Sequence, residues 1–107
     1  MSNDHQSTVL TVLSRHIGSN NGVSMRQLEQ QLDLSPRRIR HFIEALRNDG
    51  HGICGTPKEG YYIADTAEEL DHTCEFLYSR AMSSLKQISC MKKIPMPDLR
   101  GQLRLPT

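Results

Sequence analysis

Arg37, Arg38, Arg40 and His41 bring three guanidinium groups and an imidazole together in one short stretch, and Glu44, Arg47 and Asn48 follow them closely. Arginine can donate two parallel hydrogen bonds to guanine O6 and N7, asparagine pairs with adenine, and glutamate accepts from cytosine N4. Flanking arginines suit phosphate oxygens, which fix register without reading sequence. The alternative is a solvated helix face whose arginines only keep the chain soluble. Other chemistry finds little support. His5, His16, His41, His51 and His72 are scattered, and none pairs with Cys, Asp or Glu at a zinc spacing. His51 with Cys54 supplies only two ligands. The segments Gly18 to Gly22 and Gly50 to Gly60 lack the Gly-Lys-Ser/Thr ending of a phosphate loop. No enzyme, metal or cofactor is expected.

The basic cluster needs elements to position it. Val9, Leu10, Leu13 and Ile17 lie on one face of a helix expected from about Ser7 to Ile17, which Gly18 to Gly22 ends. Ser24 with Gln27 has the form of a capping box, and Met25, Leu28 and Leu32 continue a short second helix. Ser35 is a good N-cap with Pro36 at the first helical position, opening a third helix expected over 36–49. Its apolar stripe is Ile39, Phe42, Ile43 and Leu46, and at 100° per residue Arg37, His41, Glu44 and Asn48 face the opposite way. Two helices joined through Asp33, Leu34 and Ser35, the second opening with arginines, have the form of a helix-turn-helix. Gly52 to Gly55 and Tyr61 to Ala64 then read as two strands around a Pro/Gly turn. Thr66 with Glu69 forms another capping box before a long helix over Ala67 to Ser89.

The whole-chain numbers narrow the class. At 107 residues the chain suits one small domain and some tail, and with no Trp and an aromatic content of 5% its core must be small. No apolar run is long enough for a signal peptide or a membrane span, so a cytoplasmic protein is expected. Three cysteines, an odd number, fit reduced thiols better than a disulfide framework. The net charge of +1 conceals segregation. Asp65, Glu68, Glu69, Asp71 and Glu75 form an acidic run, whereas Arg80, Lys86, Lys92, Lys93, Arg100 and Arg104 stand against Asp98 alone further on. Such patches select partners more than the total does.

From Gly22 to Ile63 the chain resembles the small winged helix-turn-helix domains at the N-terminus of the biotin operon repressor and of DeoR-like regulators. The shared positions are Leu28, Leu32-Asp-Leu-Ser35, Arg38-Ile39, Ile43, Leu46-Arg47, Gly50 and Gly60-Tyr61-Tyr-Ile63. The expected fold class is mainly α with a small β-hairpin, a winged helix-turn-helix plus a long C-terminal helix. What the resemblance implies is double-stranded DNA binding in transcription regulation, with the helix over 36–49 in the major groove and the hairpin over 55–60 as a wing on the backbone. The contact residues would be Arg26, Ser35, Arg37, Arg38, Arg40, His41, Glu44, Arg47, Asn48 and, on the wing, Lys58. No ligase or sugar-binding domain of the kind usually attached to such a module is expected within these 107 residues, and no effector is assigned. A small winged helix with an extra helix is also similar to products of phages and mobile elements.

Along the last helix Leu70, Cys74, Leu77, Ala81, Ser84, Ile88 and Met91 alternate spacings of four and three, a heptad seam. It either packs on the first helix of its own domain or, since such a helix outruns a domain of this size, joins two copies. The homodimer contacts would be Leu77, Ala81, Leu85 and Ile88. The organisation expected is a winged domain over 1–64, a dimerising helix over 65–91 and a basic, Pro-containing tail over 92–107. The tail would either strengthen DNA binding or dock on a protein. The rival function is accordingly a protein-protein adaptor in phage replication or host takeover, held through the last helix and tail.

Overall fold

The computed structural model describes residues 3–96. Helices α1 (Asn3–Leu13), α2 (Met25–Leu32) and α3 (Pro36–Asn48) precede strands β1 (Ile53–Thr56) and β2 (Gly60–Ile63), and α4 (Ala67–Lys92) follows. A single 3-10 turn, Ser19–Asn21, lies between α1 and α2. The fold is mainly α with one antiparallel hairpin, as the periodicity predicts. The chain divides into two units, Met1–Thr73 and Cys74–Thr107, so the first turns of α4 belong to the first.

In the first unit, α1 begins four residues before the expected Ser7 and stops at Leu13. It contributes Val9, Val12 and Leu13 to the core. Ile17 is not on its apolar stripe: it stands 49% exposed and forms a bridge with Ile63. The helix ends early because the chain beyond it spends its polar groups on β2. The Ile63 amide donates to the His16 carbonyl and the Gly18 amide to the Ile63 carbonyl.

Both predicted starts of α2 and α3 are realised. The Ser24 hydroxyl accepts from the Gln27 amide at 3.1 Å, and the Ser24 amide donates back to the Gln27 side chain at 3.0 Å. A left-handed Asp33 (φ 53°) closes α2, a conformation its short polar side chain tolerates. Ser35 then caps α3 by accepting from the Arg38 amide at 3.3 Å. Ile39, Phe42, Ile43 and Leu46 are buried together with Leu28, Val23 and Ile53.

The hairpin pairs Ile53 with Ile63 and Thr56 with Gly60. Val23 adds a third edge, exchanging two 2.8 Å backbone hydrogen bonds with Tyr61. This close approach dictates Gly60, whose φ is 79° and where a Cβ would meet the Val23 carbonyl oxygen at 2.6 Å.

In the second unit, α4 runs to Lys92, three residues beyond the expected end. A left-handed Lys93 (φ 58°) stops it. The Ile94 amide reaches the Ser89 carbonyl and the Lys93 amide the Cys90 carbonyl, the bond pair of a Schellman cap. Of the predicted tail, residues from Pro97 onward lie outside the described residues.

Candidate nucleic-acid interface

The capped start of α3 fixes the direction of its side chains. With Ile39, Phe42, Ile43 and Leu46 turned inward, Arg37, Arg38, Arg40, His41, Glu44 and Asn48 are all exposed. Arg37 and Arg40 have no hydrogen-bond or ion-pair partner among the described residues. The Arg38 guanidinium lies 5.7 Å from the centre of the Phe42 ring, near enough for cation–π attraction. The His41 ring meets the same phenyl edge-on at 5.6 Å. From α1, the His5 ring approaches it at 5.8 Å.

At its start, the charge on α3 is set against the helix dipole, whereas Arg47 in the last turn complements it. The first turn carries no acidic residue and two arginines, Arg37 and Arg38, with Arg40 just beyond. Cations at the positive end of a helix are disfavoured by about 0.3 to 1 kcal/mol each. An anion delivered to this end relieves the repulsion and meets unused guanidinium donors.

The other predicted contacts are dispersed. Arg26 is exposed on α2, and Lys58 is exposed in the hairpin turn. Ser35 uses its hydroxyl oxygen as the α3 cap. Arg47 is half-buried, and its Nε donates to the Ile53 carbonyl at 2.8 Å, tying the end of α3 to β1. His5 was not in the predicted set. Its place beside Phe42 depends on how α1 packs on α3, which no local pattern encodes.

A second polar cluster fastens the start of α4. The Glu69 carboxylate accepts from the Ser19 and Asp65 amides, each at 2.8 Å, and Thr66 accepts from the Glu69 amide at 3.1 Å. The predicted box is thus displaced: Glu69 reaches past Thr66 to Asp65 and across to Ser19. These backbone donors hold its carboxyl below the usual 4.5. Among the described residues, no group of three or more His, Cys, Asp or Glu is placed to hold a metal ion. No described helix is long and apolar enough to cross a membrane.

Leu77 and Ala81 of the predicted dimer seam are exposed, and Leu85 and Ile88 are half-buried. Phe76 is 40% and Tyr78 62% exposed nearby.

Compared with known proteins, residues 1–52 match the family described as replication protein A C terminal. Over α1 to α3 the chain is therefore similar to a segment of a replication protein. No curated protein and no solved structure matches. The resemblance to the biotin operon repressor and DeoR-like regulators is thereby corrected, because the family found over α1 to α3 is a different one. The positions that suggested it have structural duties here. Ser35 caps α3, Ile39, Ile43 and Leu46 fill the core, and Gly50 takes a φ of 99° at the helix end. Such a pattern reports the fold rather than the family.

Proposed function

We propose that this protein binds duplex DNA in the service of replication, with α3 in the major groove and the hairpin turn at the backbone. The observation that carries the reading is the start of α3, where Arg37 and Arg40 are exposed and have no partner among the described residues, at the positive end of a helix dipole. In this reading Arg37, His41, Glu44 and Asn48 face base edges, and Arg38, Arg40, Arg26 and Lys58 face phosphates. Ser35 and Arg47 serve the fold and position the helix. Replication takes the place of transcriptional control because of the family matched over residues 1–52. The protein is a binding module rather than an enzyme, and it works in the cytoplasm, where Cys54, Cys74 and Cys90 stay reduced. It acts as a homodimer through α4, since two linked modules hold a duplex at high effective concentration.

Fluorescence anisotropy with short duplexes at low salt tests this. Micromolar binding is expected. Arg37→Ala should cost about 1 to 3 kcal/mol on preferred sequences and relax base preference, while Arg40→Ala should weaken all sequences alike. The family match also favours a second reading, an adaptor that holds another replication protein. Failure of any duplex to bind at micromolar protein would overturn the DNA reading and leave the adaptor.

A further inference from the structure

We propose that two copies of α4 pair antiparallel, in a register that sets Leu77 against the second copy's Ile88 and Ala81 against its Ser84. The inference rests on the homodimer reading and adds its direction and register, which nothing above assigns.

Three features of α4 carry it. The first is charge. Glu68, Glu69, Asp71 and Glu75 occupy the first third of the helix, and from Phe76 to Lys93 every formal charge is positive, on Arg80, Lys86, Lys92 and Lys93. Side by side in parallel, two such helices set acid against acid and base against base. Antiparallel, each acidic start lies along a basic end.

The second feature is the row beside the seam. In heptad terms Cys74, Ala81 and Ile88 are a positions, Leu77, Ser84 and Met91 are d positions, and the e positions are Asp71, Tyr78, Leu85 and Lys92. In the proposed register this row pairs with itself. Tyr78 meets the second copy's Leu85, and Asp71 meets its Lys92. A parallel pair brings e against g instead, leaving Tyr78 beside Thr73, Leu85 beside the charged Arg80, and Lys92 beside Gln87. Tyr78 is 62% exposed, so it is accessible to a second copy.

The third feature is size. The layers are Cys74 with Met91, Leu77 with Ile88, and Ala81 with Ser84, each occurring twice about the two-fold axis. Small residues meet at the centre, which lets the backbones approach, and larger ones meet on either side. Arg80 falls opposite Gln87 rather than its own copy, and its guanidinium already lies 6.0 Å from the Phe76 ring centre on its own helix. Ser84, which interrupts the apolar seam, acquires a reason in this arrangement.

Cys74 provides the test. In the 107-residue chain, Met91→Cys with Cys90→Ser places a new thiol at a position that is 75% exposed, so the fold should tolerate the exchange. Along one helix positions 74 and 91 are about 25 Å apart, beyond the roughly 7 Å limit between disulfide-bonded Cα atoms. A disulfide joining them must therefore link two chains, and Cys54 is buried and does not compete. Mild oxidation followed by peptide mapping should yield a covalent dimer joined between position 74 of one chain and 91 of the other. Disulfides joining 74 to 74 and 91 to 91 would overturn the antiparallel register and leave a dimer standing. A wild-type monomer by sedimentation at tens of micromolar, with no crosslink, would overturn the homodimer as well. Duplex binding, measured on the same samples, reports separately on α3.

Discussion

Arg40 and Arg47 are the same residue type on the same helix, yet their surroundings give them different work. Arg40 is exposed and has no partner among the described residues, whereas Arg47 spends its Nε on the Ile53 carbonyl. Sequence distance could not separate them, because the carbonyl that holds Arg47 is placed by the turn after α3. Glu69 shows the same thing for an acid. Its capping signal with Thr66 was legible, but the bond to the Ser19 amide joins positions fifty residues apart and was not. That bond has a pH signature. A carboxyl whose folded pKa is depressed adds stability at pH above its ordinary 4.5, and the contribution is lost as pH falls below that value toward the folded one. Glu69→Gln should therefore lower the melting temperature at neutral pH and flatten its decline below about pH 4.5. Thermal unfolding of both proteins from pH 3 to 7 measures this, and parallel pH curves would show that Glu69 is not the anchor.

At the scale of elements, the legible features were those with a local cause. Ser24 with Gln27 and Ser35 with Pro36 marked the starts of α2 and α3, and the four-residue stripe of α3 marked its buried face. The third strand edge was illegible, since single bridges at Ile17 and Val23 have no period to detect. The end of α1 was misplaced for the same reason, because Ile17 fits a helical spacing but is claimed by β2. The contact between Val23 and β2 depends on Gly22, where a Cβ would lie 1.8 Å from the Glu59 carbonyl oxygen. Gly52 is a control, since a Cβ there meets Leu70 at 3.4 Å, near ordinary contact. Gly22→Ala should cost about 3 kcal/mol or prevent folding, and Gly52→Ala about 1 kcal/mol or less. Urea denaturation compares them, and equal midpoints would argue against the third edge.

For the whole molecule, a small core holds the α3 face in place while the long α4 carries a seam and a segregated charge pattern. The site was legible as far as residue type and helical phase could take it, which includes the exposed face of α3. Its relation to His5, and the loss of Ser35 and Arg47 to structural duties, needed the fold. In the proposed function, arginines on α3 neutralise DNA phosphates, and such neutralisation releases counterions. The most direct test is the slope of log affinity against log salt for one duplex, measured for the wild-type protein and for Arg40→Ala. Log affinity should fall linearly with log salt, with a slope shallower by about 0.9 in the variant, the value for one phosphate contact. A duplex affinity independent of salt, or an Arg40→Ala slope equal to that of the wild type, would contradict it.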